Sequence, residues 1–75
     1  MIKVEVRLFA TFREGRGKKQ ILYLEEDTEI SEVLNKLNIK TEEIGILLLN
    51  GLDGSIDRKL KDGDVIALFP PVGGG

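Results

Sequence analysis

The last residues of the chain are those whose types and order best suggest chemistry. Pro70 and Pro71 are followed by Val72 and then by three glycines that end with Gly75. Prolines keep a backbone extended and glycines remove every side chain, and a segment of this length spans about 20 Å when extended. We expect such a tail to pass through a channel too narrow for a Cβ atom and to deliver a terminal carboxylate.

The chemistry available to that carboxylate is acyl transfer after activation. A terminal carboxylate on Gly75 is ionised at neutral pH and is therefore a poor electrophile. Activation is simplest as a mixed anhydride with AMP. The alternative is that the glycines are a frayed chain end without a role, because chain ends are commonly disordered. The tail alone does not separate these two interpretations.

Composition excludes most other chemistry. The chain has 75 residues, without Cys or His, which excludes disulfides, thiolate nucleophiles, imidazole acid–base catalysis and zinc sites with Cys or His ligands. One small domain leaves little room for an internal substrate cavity of about 300 Å³, so we expect no enzyme.

A net charge of −2 argues against a nucleic-acid partner. No apolar run approaches the roughly 20 residues of a membrane span, and early charges argue against a signal peptide; we expect a cytoplasmic protein without a membrane partner.

Hydrophobic periodicity predicts the elements that must carry the tail. Alternating apolar and charged residues over 2–8 predict a half-buried strand, and the polar segment 13–19 predicts a loop. The apolar run 21–24 predicts a second strand, antiparallel to the first because the connection is short. Apolar residues three and four apart predict a short helix over 29–38 that must pack on the sheet. We expect Thr28 or Ser31 to cap this helix, with Glu29 and Glu32 at its positive end.

Two further apolar runs, 46–49 and 65–69, predict strands that end at a turn and at the prolines. We also expect a brief edge strand near Ile56. The order is then β-β-α-β-(β)-β, and one helix covers only one face of the sheet. Since both runs are apolar on both faces, either they are central strands flanked by loops or their outer face is an exposed patch for a partner. We favour the partner.

Four motifs together resemble a known family. They are Leu8-Phe9-Ala10 with Arg13-Glu14, then Asn50-Gly51, then Leu60-Lys61-Asp62-Gly63-Asp64-Val65, and most specifically Phe69-Pro70-Pro71-Val72-Gly73-Gly74-Gly75. The chain resembles the MoaD/ThiS family of sulfur carriers over essentially its whole length, and its end is similar to that of the molybdopterin synthase small subunit. The resemblance implies an α+β, ubiquitin-like β-grasp fold, with a mixed sheet of four to five strands on one short helix. It implies a domain over 1–69 and a flexible tail over 70–75.

The resemblance also implies a function. Gly75 would be adenylated by a partner of the ubiquitin-activating (MoeB/ThiF-like) type, converted to a thiocarboxylate, and used as a sulfur source in molybdopterin biosynthesis by a large MoaE-like subunit. ATP would be consumed by the activating partner, with no cofactor bound permanently and no metal. The chain alone would be a monomer without catalytic side chains. The residues implied in partner binding are Phe69, Pro70, Pro71, Val72, Gly73 and Gly74, the last sharing the narrow passage with Gly75.

Alignment with the family places Val65, Ala67 and Phe69 on the outer face of the last strand, and Ile66 and Leu68 inward. Phe69 is then the best candidate for an interface anchor; the alternative is a core residue at the strand end. The loop after Glu14 departs from the family, because related small subunits often continue there with an apolar residue and a short helix.

Three functions stay open at this point. Related carriers serve thiamine synthesis, tRNA thiolation and tungsten enzymes as well as molybdopterin synthesis. The same activated glycine would also suit a protein modifier that is joined to lysine amines. A docking module with an idle tail is the third hypothesis.

Two groups of charged residues have simpler interpretations than a binding site. We expect the basic loop to be solvated, although a phosphate or acidic-partner site is conceivable. The aspartates lack calcium-loop spacing and suit ordinary turns. The basic residues are Arg13, Arg16, Lys18 and Lys19, and the aspartates are Asp53, Asp57, Asp62 and Asp64.

Overall fold

A computed structural model of the chain describes residues 1–71; Val72, Gly73, Gly74 and Gly75, on which the tail predictions fall, lie outside the described residues. The described part contains five strands, one α-helix and two short 3-10 helices, Ala10–Arg13 and Thr41–Glu43. The strands are β1 (Ile2–Leu8), β2 (Lys19–Leu24), β3 (Ile46–Leu49), β4 (Leu52–Asp53) and β5 (Val65–Phe69), and the helix is α1 (Ile30–Lys36).

The five strands form one mixed sheet in the order β2-β1-β5-β3-β4. Strand β1 pairs antiparallel with β2 and parallel with β5, while β3 pairs antiparallel with both β5 and β4. The last strand, which leads into the tail, therefore lies in the middle of the sheet. This arrangement confirms the predicted α+β class and the mixed sheet with one helix.

One face of the sheet shares a single core with α1. Val4, Val6 and Leu8 of β1 have no exposed surface, and the same holds for Ile66 and Leu68 of β5. The helix adds its own apolar stripe, as the three- and four-residue spacing predicted; the stripe consists of Ile30, Val33 and Leu34.

The start of α1 differs from the prediction of a Thr28 or Ser31 cap, which is wrong. Glu29 is the cap residue, and its backbone N–H donates to the Glu32 carboxylate at 2.8 Å. The Thr28 hydroxyl instead donates to the carbonyl of Glu25 at 2.7 Å. The N–H groups of Ile30 and Ser31, which a capping Thr28 hydroxyl would have served, donate instead to the carbonyls of Arg58 and Ile56 at 3.1 and 3.0 Å. The helix is also shorter than 29–38, and Asn38 beyond it has a φ of +59°.

The edge strand lies elsewhere than expected. Asn50 and Gly51 have φ values of +52° and +83°, which is the left-handed geometry of a two-residue hairpin turn. The chain therefore reverses at once, and β4 pairs with β3 through Leu52 opposite Leu49. The prediction of a strand near Ile56 is wrong, because Ile56 lies in a turn and packs against the core.

Among residues 1–71, no helix has the length and apolar character that crossing a membrane requires.

Candidate functional site at the stem of the tail

The outer face of β5 and β3, opposite α1, carries an apolar strip. Burial alternates along β5, so Ile66 and Leu68 are buried while their neighbours are half-buried and point to the other face. The register pairs Ile46 with Phe69 and Leu48 with Ala67. We call the resulting set the outer strip, and it consists of Ile46, Leu48, Val65, Ala67 and Phe69.

The outer strip is bordered by an ion pair on β1. The register places Glu5 opposite Val65 and Arg7 opposite Ala67. The Arg7 guanidinium donates to the Glu5 carboxylate, and this hydrogen bond lowers the pKa of Glu5 below its usual value. The carboxylate is thus charged at neutral pH, and the apolar strip has a polar border.

Two aromatic rings join the end of β5 to the segment after β1. The rings of Phe9 and Phe69 are stacked, with centroids 4.3 Å apart and an angle of 11° between their planes. The guanidinium carbon of Arg13 lies 5.3 Å from the centre of the Phe9 ring, and Arg13 Nε donates to the carbonyl of Leu8 at 2.8 Å. Phe69 is therefore half-buried on the outer face and held by Phe9, which is an arrangement between the two that the sequence suggested.

The residues that follow β5 lie along a shallow apolar groove. We call Phe69, Pro70 and Pro71 the stem, because the tail continues from them. The groove has a volume of about 460 Å³, and its lining consists of the stem together with Phe9, Ala10, Gly45 and Ile46. Pro70 is half-buried and Pro71 exposed. The three described members of the predicted partner-binding set thus lie together at one end of the outer strip.

The basic loop after β1 has a structural role that the sequence did not predict. Arg16 Nε donates to the carbonyl of Leu37 at 3.0 Å, and its other nitrogens donate to the carbonyls of Phe12 and Asn38. The carbonyls of Leu37 and Asn38 directly follow α1, at the helix end where a cation is favoured. Two of the four basic residues, Arg13 and Arg16, are therefore engaged by backbone carbonyls rather than free for a phosphate. Proximity to a helix end 21 residues away has no signal in the local sequence.

Within residues 1–71, no group of three or more acidic side chains is placed to hold a metal ion.

A model of the ThiS family matches residues 6–75. The chain belongs to the ThiS family. Small archaeal modifier protein 3 of Haloferax volcanii is 33% identical over 93 aligned positions, covering 99% of this chain and 100% of that protein. Members of this family, like this relative, are small ubiquitin-like sulfur carriers or modifiers that are not catalytic. This ThiS-family chain is therefore not itself an enzyme.

Solved structures share the fold. A Pyrococcus furiosus protein described as molybdopterin converting factor subunit 1 is 30% identical with a TM-score of 0.81, covering 96% of this chain and 100% of that one. Subunits 1 and 2 of the molybdopterin-converting factor from Helicobacter pylori form a complex in which the matched chain is 28% identical, with a TM-score of 0.66 and coverage of 99% and 100%. The mixed sheet with one helix is therefore the ubiquitin-like β-grasp fold that the resemblance implied. This ThiS-family chain is a ubiquitin-fold protein of the sulfur-carrier or small-modifier type.

Proposed function

We propose that this ThiS-family chain is a sulfur carrier that uses a thiocarboxylate on Gly75 to supply sulfur for molybdopterin synthesis. The Gly75 carboxylate attacks the α-phosphorus of ATP, and pyrophosphate leaves. A sulfide-level donor then attacks the acyl carbon and displaces AMP, which leaves a thiocarboxylate. An adenylating enzyme of the ubiquitin-activating type supplies the ATP site, and this chain supplies the acyl group.

The observation that carries the proposal is the position of the stem at one end of an apolar strip. Phe69 belongs to both, since it ends β5 on the outer face and begins the stem. A partner that covers the outer strip is therefore adjacent to the point where the tail leaves the domain. Such coupling of docking to delivery is what a carrier needs, because the reacting group must enter a site that belongs to the partner.

The proposed second partner is a large subunit that receives the charged tail. A homologous complex of subunits 1 and 2 exists in Helicobacter pylori, and the outer strip offers this chain a comparable apolar surface. Ile46 is 48% exposed there, so burial of its side chain by a partner would stabilise the complex. The Arg7–Glu5 pair would lie at the rim of the contact, where charges add specificity rather than affinity.

A protein modifier is the second candidate, and the specific observation in its favour is the 33% identity to small archaeal modifier protein 3. The first step is the same adenylation of Gly75. The acyl group is then transferred to a lysine amine of a target, forming an isopeptide bond. The two functions differ only in the nucleophile that ends the sequence of steps.

Intact-mass measurement tests the carrier proposal. The purified chain is incubated with an adenylating enzyme of the ubiquitin-activating type, ATP and sulfide, and we expect one oxygen to be replaced by sulfur. A variant lacking Gly74 and Gly75 is the matched control and is expected to keep its mass. Failure to form the thiocarboxylate with an enzyme that charges another carrier would refute the proposal. Lysine peptides bearing a tail remnant in cell extracts, without a thiocarboxylate, would favour the modifier.

A further inference from the structure

Gly45 lies immediately before β3 and contacts the stem directly. Its backbone N–H donates to the carbonyl of Phe69 at 2.8 Å. This bond continues the β3–β5 pairing beyond the Ile46–Phe69 pair. Gly45 therefore lies beside the stem at the point where the chain leaves β5.

The space beside Gly45 is filled by the backbone of the two prolines. An ideal Cβ atom placed on Gly45 would lie 2.7 Å from Pro71 Cα, 2.8 Å from the Pro70 carbonyl oxygen and 2.8 Å from Pro71 N. Carbon atoms in proteins do not approach that closely. All three atoms belong to the main chain, and proline rings restrict φ, so no side-chain rotation relieves the clash.

The need for glycine at this position is spatial rather than conformational. The φ of Gly45 lies outside the left-handed region, whereas Gly51 and Gly63 have φ values of +83° and +88° in turns. Backbone geometry at residue 45 is thus open to alanine. What excludes a side chain is the close approach of the stem, and an isolated glycine beside a strand is typical of such an approach.

We propose that Gly45 is a positioning residue that sets where and in which direction the tail leaves the domain. On one side the stem lies against the bare backbone of Gly45, and on the other the ring of Phe69 is stacked on Phe9. The two contacts hold successive residues of the stem, which fixes both its place and its rotation. The role in delivery rests on the proposed carrier function, because a fixed exit matters when Gly75 must reach a reaction site in a partner docked on the outer strip.

The functional consequence is a separation of docking from delivery. A methyl group at residue 45 would push Pro70 and Pro71 away from β3 while leaving the outer strip in place. The partner would still bind, but the terminal glycine would reach the reaction site in the wrong orientation. Misplacement of a reacting group by about 1 Å is enough to slow a reaction by about 100-fold.

The experiment compares Gly45→Ala with Gly15→Ala in the adenylation of Gly75. Gly15 is a suitable control because an added Cβ meets no atom within 4 Å, although its φ of +73° adds some strain. We expect Gly45→Ala to lower kcat by about 10- to 100-fold with KM nearly unchanged, and Gly15→Ala to leave both near the values of the unmodified chain. Equal kcat values for Gly45→Ala and the unmodified chain would overturn the proposal.

A structural measurement keeps the inference separate from the proposed function. The unmodified chain is expected to show a nuclear Overhauser effect between the α-protons of Gly45 and Pro71, and Gly45→Ala is expected to lose it. Absence of this signal in the unmodified chain would overturn the inference, whether or not Gly75 is charged. Presence of the signal with no charging by a competent enzyme would instead count against the carrier function, and it would leave the contact between Gly45 and the stem established.

Discussion

Ile46→Ala should weaken binding of the activating enzyme. Its effect on the free energy of unfolding should be no larger than that of a matched substitution outside the outer strip. The carbon atoms that Ile has beyond Ala are worth about 2.4 kcal/mol when fully buried. Since 48% of Ile46 is still exposed in the free chain, about half of that free energy, about 1 kcal/mol, is available to a partner that covers it. This corresponds to an increase of about fivefold in Kd. Titration calorimetry with the purified activating enzyme measures the change directly.

Ile21→Ala provides the matched control for that experiment. Ile21 is also an isoleucine on a strand, opposite Glu5 in β2, and it retains 38% of its exposure. Two strands, β1 and β5, lie between β2 and β3, so Ile21 is outside the outer strip. Both substitutions should lower the free energy of unfolding by about 1 kcal/mol, because each removes a half-buried group. Equal losses of affinity in the two variants, or none in either, would refute the assignment of the outer strip as the docking surface.

Three further predictions follow from the contacts of single residues. Arg16→Ala should lower the free energy of unfolding by about 1–3 kcal/mol, measured by urea denaturation, because carbonyls including that of Leu37 lose their donor; no loss would show that water replaces the guanidinium fully. Glu5→Gln should flatten the acid limb of stability: the pKa of Glu5 in the folded chain is lowered from 4.5, so its pairing with Arg7 stabilises above that value and is lost as the pH falls through the lowered pKa. An unchanged profile between pH 6 and pH 3 by thermal denaturation would contradict this. Addition of one alanine after Gly75 should abolish thiocarboxylate formation in the mass assay while leaving the melting temperature unchanged, and normal charging of that variant would contradict a role for the terminal glycine.

The strands and their order were predictable because hydrophobic periodicity reports directly on burial. The ranges 46–49 and 65–69 match β3 and β5 at both ends, and the inward and outward residues of β5 follow the predicted alternation. Strand β2 begins two residues earlier than the apolar run at 21 suggested. Polar residues at a strand end pair through their backbone, and their side chains carry no apolar signal.

The helix cap and the edge strand were mispredicted for separate reasons. The N–H groups of Ile30 and Ser31 that a Thr28 hydroxyl would serve donate to carbonyls of Ile56 and Arg58, and the local sequence does not indicate that this distant segment lies there. The predicted edge strand lies too far along the chain because a two-residue Asn50-Gly51 turn not only ends β3 but also starts the returning strand at once. Leu52 directly follows that turn.

The contacts that shape the stem were beyond the sequence for a different reason. The stack of Phe9 on Phe69 and the contact of Gly45 with the stem join residues from three separate segments. The parallel pairing of β1 with β5 brings Phe9 near Phe69, and the antiparallel pairing of β3 with β5 brings Gly45 to the stem. Gly45 did carry a weak signal, since a lone glycine beside an apolar run is unusual without a turn residue next to it. What it approaches is decided by tertiary structure alone.

The central place of β5 bears on how the protein resists force. A motor that grips the chain beyond Pro71 and pulls would draw first on β5, which is hydrogen-bonded along one edge to β1 and along the other to β3. Extraction of that strand requires both ladders to break and the buried side chains of Ile66 and Leu68 to enter water in the same event. Pulling on the tail thus loads two hydrogen-bonded ladders and part of the core at once.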